Sequence, residues 1–146
     1  MNLGVLHLGI HESQYMVPLD QVERVIRMAQ FTPLPAADLP ANQHPQVVGV
    51  LNVAGELRAV VSARKVLGLP DAAITPSQRL LLLKGQPPFL LWVDDILGFL
   101  EVSMLDFKPI RYSERSPIEA VIRTPQGNTP VLRPEFFQPD HFWEPG

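Results

Sequence analysis

The chain has 146 residues, a formal net charge of −3, no cysteine and 46% hydrophobic residues. That length suits one compact domain or two very small fused subdomains, and the composition is too apolar and too weakly charged for a disordered chain. Without cysteine there is neither a disulfide framework nor a thiolate metal site, and the acidic balance carries no basic stripe of the kind a nucleic-acid binder needs.

Met1-Asn2-Leu3-Gly4-Val5-Leu6-His7 lacks the basic start, long apolar run and small-residue cleavage site of a secretory signal. Leu80–Leu83 and Phe89–Val93, the longest apolar stretches, are too short to cross a bilayer. A cytoplasmic location is expected. Sixteen prolines punctuate the chain, which disfavours long helices and leaves short elements joined by turns. An all-β architecture follows.

Leu3–Ile10 predicts a first strand with Leu6, Leu8 and Ile10 on one face, and His11-Glu12-Ser13-Gln14 turns the chain back into Tyr15–Leu19. Asp20, followed three residues later by Glu23, has the pattern of a helix N-cap. Val25-Ile26-Arg27-Met28 suits a helix or a strand equally. The segment from Phe31 to Pro45 reads as a long connecting loop. Gln46–Asn52 and Glu56–Val61 read as strands around the tight turn Asn52-Val53-Ala54-Gly55, where Gly55 is free to take positive φ. Ser62 is placed to cap a short helix through Leu67, and Gly68-Leu69-Pro70 stops it.

Arg79–Lys84 and Phe89–Asp94 are near-continuous apolar strands joined by Gly85-Gln86-Pro87-Pro88, and runs without alternation are usually buried on both faces. Asp95–Val102 fits a helical start or further sheet. Ile118–Thr124 and Thr129–Leu132 flank the turn Pro125-Gln126-Gly127-Asn128. The stretch from Pro134 to Trp143 is expected to form one helical turn. Its Phe136, Phe137, Phe142 and Trp143 serve either as a clasp on the body or as partner anchors. No repeat of fixed period is visible.

Catalytic and metal signatures are weak. His7 and His11 have the spacing of two helical ligands but fall on a strand and its turn, without companion carboxylates, and His44 and His141 stand apart. Asp94 and Asp95 are adjacent on a strand end and therefore face opposite ways. No nucleophile elbow, phosphate-cradling loop or zinc-protease motif is present. The chain is read as a non-enzyme without a cofactor.

Four segments, in order, resemble the CheW-like family of chemotaxis coupling proteins. Tyr15 to Arg27, YMVPLDQVERVIR, is similar to "ALPLxxVxEVIR". Val48 to Pro70 is similar to "GVINLRGxVIPVVDLRxxLGLP". Leu91 to Leu97, LWVDDIL, resembles "GLVVDxV", and the sequence from Ile118 to Phe137 resembles the final hairpin and terminal turn. The resemblance implies two small five-stranded β-barrels packed side by side in one domain, the chain crossing from one to the other and back. It also implies an adaptor that couples chemoreceptor cytoplasmic tips to a histidine kinase regulatory domain. The partner-binding positions would fall on Val22, Arg24, Val25, Val50 and Val93, with Asn52, Ala54, Gly55 and Ser62 beside them.

Three of these positions depart from the family pattern. Ala54 stands where the family has Arg, Arg24 where it has an acid and Ser62 where it has Asp. A lost guanidinium removes a five-donor fork, and a reversed charge alters partner choice. Ser62 keeps an oxygen able to cap a helix. Val22, Val25 and Val50 suit a barrel core as well as a groove, Arg24 suits a solvated surface, and Ala54 and Gly55 suit a plain turn. Two further readings stand beside the receptor–kinase adaptor. One is a divergent interaction module serving a pilus-type or other chemosensory or localisation pathway. The other is a small-molecule or single-strand-binding barrel, which would need a basic, aromatic-lined face.

Overall fold

A computed structural model describes residues 1–33, 46–110 and 116–139. Two six-stranded sheets carry the fold. The first is built from β1 (Asn2–Ile10), β2 (Ser13–Pro18), β9 (Asp95–Ser103), β10 (Phe107–Pro109), β11 (Ile118–Thr124) and β12 (Gly127–Leu132). The second holds β3 (Val22–Arg27), β4 (Thr32–Pro33), β5 (Val47–Val53), β6 (Glu56–Ser62), β7 (Arg79–Leu83) and β8 (Phe89–Val93). The chain thus starts in the first sheet, builds the second, and returns. The expected pair of β subdomains is present, each sheet curled as a half-barrel. Its count rises from five strands to six because the short flanking strands β4 and β10 join the edges.

Both sheets follow one plan. In the first, the hairpins β1–β2 and β11–β12 meet through a parallel pairing of β2 with β12, and β9 and β10 flank the outside. In the second, the hairpins β5–β6 and β7–β8 meet through a parallel pairing of β6 with β8, flanked by β4 and β3. The flanking strands β3 and β10 are each entered through a 3-10 turn, Leu19–Gln21 and Met104–Asp106.

Strand alternation divides the apolar residues into three cores. Leu6, Leu8 and Ile10 of β1 join Leu81, Leu83, Phe89, Leu91 and Val93 in a central cluster between the sheets. Val5, Met16, Ala120, Ile122 and Val131 fill the far side of the first sheet, and Phe31, Val60, Leu80, Leu82 and Leu90 that of the second. The unalternating runs in β7 and β8 are explained by this layering, since both of their faces are covered.

Local chemistry sets the joints. Ser62 Oγ accepts a hydrogen bond from Lys65 N at 3.2 Å and caps α1 (Ala63–Val66). The helix ends where Leu69 N donates to Arg64 O and Gly68 N to Lys65 O, with Gly68 at φ 71°. This is the paired closure of a Schellman motif. The Asp20 cap does not form: Leu19–Gln21 is a 3-10 turn preceded by Pro18, without a side-chain cap, and Val22–Arg27 is a strand. Pairing with β7 outweighs the local helical signal there. Asp95–Ser103 extends the first sheet beside β1. The terminal turn is shorter than expected, Pro134–Phe137, and Phe137 is fully buried in the central core. Gln138 follows, donating from Nε2 to Pro87 O and accepting from Gln86 N. Within the described residues this part of the tail is a clasp; Phe142 and Trp143 lie outside them.

Candidate functional site: the seam between the sheets

The central core continues to the edges of both sheets, where it meets solvent. Val25 of edge strand β3 lies opposite Leu81, a central-core residue, so its side chain faces the core side. Yet Val25 is 36% exposed. Phe99 of edge strand β9 lies opposite Leu6 and shares its face, and it is 65% exposed. On β5 and β6, Val50 pairs with Ala59 and Asn52 with Leu57, again on the core side. Leu57 is 69% exposed and Val50 half-buried. Val25, Phe99 and Leu57 are thus exposed apolar side chains on the faces that carry the central core.

The sequence-predicted positions divide across this geometry. Val22 packs against the central core at the start of β3, and Val25 and Val50 sit on the same sheet face toward its margins. Arg24 faces the other way: it lies opposite Leu82, on the far side of the sheet, and is exposed. Val93 is fully buried on β8, an interior strand flanked by β6 and β7, and offers no surface to a partner. Its place in the expected groove is therefore corrected to the core. Ser62 is 4% exposed and occupied as the helix cap.

Asn52, Ala54 and Gly55 form the tip of the β5–β6 hairpin. Asn52 Oδ1 accepts from Gly55 N at 2.9 Å. Ala54 and Gly55 take φ of 53° and 91°, the all-positive pattern of a type I′ turn. Ala54 is in the left-handed region without a side chain that could hydrogen-bond locally to offset it.

At the other end of the seam lies a polar junction. Asp94 is the single residue between β8 and β9, where the chain passes from the second sheet to the first. Its backbone N donates to Gly9 O at 3.1 Å. Its Oδ2 accepts from His11 N at 2.6 Å, and its two oxygens accept from Arg64 Nε and Nη2 at 3.1 and 2.5 Å. Arg64 Nη1 also donates to Pro70 O at 2.9 Å and lies 3.4 Å from His11 Nδ1. The hydrogen bonds to Asp94 push the Arg64 pKa up, against an opposing cost of burial. One bidentate pair thus ties α1, the β1–β2 turn and the crossover together. The two adjacent aspartates part, Asp95 Oδ1 turning to its own neighbour Ile96 N.

This junction and the exposed pair Phe99 and Leu57 are absent from the sequence-derived site. Arg64 lies within the family-like segment from Val48 to Pro70, which was its only signal; its partner is 30 residues away. His7 is engaged with Gln14 on the neighbouring strand, 3.0 Å away, and does not converge with His11. Among the described residues no cluster of three or more His, Cys, Asp or Glu is placed to hold a metal ion, and no helix is long and apolar enough to cross a membrane.

Two curled β subdomains, with the chain crossing from one to the other and back, make a CheW-like fold. The family model for the CheW-like domain matches residues 4–135, and the chain belongs to that family. The fold is similar to the crystal structure of the scaffolding protein TtCheW from Thermoanaerobacter tengcongensis, with a TM-score of 0.78, covering 91% of this chain and 90% of that one at 17% identity. No curated protein matches the sequence.

Proposed function

We propose that the chain is a non-catalytic adaptor that couples chemoreceptor tips to the regulatory domain of a histidine kinase. The observation that carries this reading is that Val25, Leu57 and Phe99 lie on the sheet faces that carry the central core and are nevertheless exposed to solvent. Such residues hold a partner by burying area against it, which fixes orientation without chemistry. Val22, Val25, Val50 and the hairpin tip Asn52–Gly55 are the proposed contact positions. Cytoplasmic placement and the absence of a cofactor belong to the same reading.

A second reading rests on Ala54 and Arg24. The hairpin tip has no guanidinium, and Arg24 projects from the sheet face opposite Val25. These two changes suit a CheW-like module recruited to a pilus-type or other chemosensory pathway. A pull-down of the purified chain with the kinase regulatory domain and receptor tips from the same organism separates the readings. Capture of both supports the coupling adaptor. Capture of neither, by a chain with a folded β-rich spectrum, supports the recruited module. Ala54→Arg with Arg24→Glu then raises capture if those contacts are what was lost.

A further inference from the structure

A second surface lies on the first sheet, where the three 3-10 turns Leu19–Gln21, Met104–Asp106 and Pro134–Phe137 come together. There a groove of about 340 Å³ has an apolar lining that includes Leu3, Met104 and Phe107 and a rim that includes Asp20, Glu119 and Glu135. Its apolar surface continues onto the turn from Met104 to Asp106, where Met104 is 39% and Leu105 81% exposed.

Three carboxylates meet one guanidinium. Arg133 Nη1 bonds Glu135 Oε1 at 2.9 Å, so carboxylates outnumber guanidinium groups at the rim among the described residues. Glu119 is in the bulge of β11, where the register with β12 shifts between Ile118 and Ala120. Bulges re-aim side chains, and this one adds Glu119 to the lining of the groove. Among the described residues no donor hydrogen-bonds its carboxylate. Partial burial pushes its pKa up, only in part opposed by Arg133, with Glu135 and Asp20 raising it further. Among the described residues, the groove thus sets three carboxylates beside exposed apolar surface.

We propose that this groove docks a basic amphipathic segment of a partner protein, whose lysine stem lies along Met104 and Phe107 and whose ammonium sits among Asp20, Glu119 and Glu135. A lysine side chain matches both halves, an aliphatic stem and a compact cation with three donors. The carboxylates select against an acidic segment by the same charge. Its lining shares no residue with the proposed seam contacts, and its occupancy does not depend on the coupling reading.

The test titrates the full chain, labelled with nitrogen-15, with a synthetic 14-residue helical peptide of Lys, Leu and Ala. The same peptide with Glu in place of Lys is the control. The expected result is shift changes confined to residues around Leu3, Phe107 and Glu119 with the Lys peptide and none with the Glu peptide. Glu119→Gln is expected to weaken binding about fivefold, and Asp20→Asn with Glu119→Gln and Glu135→Gln at least tenfold. Glu56→Gln, on the distant hairpin of the second sheet, is expected to leave it unchanged. Shift changes centred elsewhere, or none at all with the Lys peptide, overturn the proposal. So does equal weakening by Glu56→Gln, which would mark attraction to net charge alone. The mapping on the unmodified chain reads the site without relying on any variant's fold.

Discussion

Arg64 and Asp94 form a bidentate ion pair across 30 residues of sequence, and their joint position is the point where the chain leaves one sheet for the other. Both side chains are about four-fifths buried, at 18% and 20% exposure. In that setting, removing one partner strands the other with poorly solvated charge, which outweighs the modest worth of an exposed pair. The pair holds the crossover, so its loss acts on the relation between the sheets.

Arg64→Ala and Asp94→Asn are each expected to destabilise the chain by about 1–3 kcal/mol. The double variant is expected to lose little more than either single one, because both remove the same interaction. Urea unfolding of the four proteins checks this; strict additivity would show that the two side chains act separately.

At the hairpin tip, Ala54→Gly is expected to stabilise by about 1 kcal/mol by relieving a left-handed alanine. Gly55→Ala is expected to cost a similar amount, although a Cβ there meets no atom within 4 Å, so the penalty is purely backbone. Thermal unfolding midpoints moving in opposite directions are the expected readout.

The seam positions separate by burial. Val93→Asp places a charge in the central core and is expected to abolish cooperative unfolding. Val25→Asp, at a half-open edge, is expected to change stability by only about 1 kcal/mol while lowering capture of receptor tips. Circular dichroism beside the pull-down distinguishes the two; loss of fold by Val25→Asp would place that residue in the core.

Phe137→Ala removes the buried ring of the terminal clasp and is expected to cost about 3–5 kcal/mol. Gln138→Ala loses only its hydrogen bonds to the turn between β7 and β8 and is expected to cost about 1 kcal/mol. Equal losses in urea unfolding would show that the ring is not what anchors the tail.

The raised pKa of Glu119 gives a pH signature of defined sign. A carboxylate that binds its proton more tightly in the folded state destabilises that state when ionised. The penalty is present above the folded-state pKa and disappears as pH falls through it toward the unfolded value near 4. Glu119→Gln is therefore expected to be more stable than the parent chain at pH 7 and to lose that advantage under acid. Stability measured from pH 3 to 8 checks it.

The strands of the core were legible because their signals are local. Leu6, Leu8 and Ile10 alternate, and the unbroken runs of β7 and β8 announce strands covered on both faces. Ser62 and Gly68 bracket α1 through hydrogen bonds within seven residues. The seam was less legible, since Val25 and Val93 look alike in sequence. Strand order alone places Val25 on an edge and Val93 on an interior strand. Arg24 and Val25 part because a strand alternates its faces, a consequence hidden while that segment still allowed a helix. Asp20 shows the opposite failure, where a good local cap signal yields to pairing with a distant strand. Phe99 stayed unrecognised because β9 had no assigned structure.

The parallel pairing of β2 with β12 joins Met16 to Val131, and this sets an order of events during synthesis. As the chain leaves the ribosome, β1 and β2 emerge first yet lack the strands that complete their sheet. All the strands of the second sheet emerge within one uninterrupted stretch, so its strand pairings need no later part of the chain while the nascent first hairpin is still waiting. Until the last strands arrive, the hairpin's apolar face has only the newly formed subdomain to rest against. The second subdomain would then serve as the template on which the first is assembled.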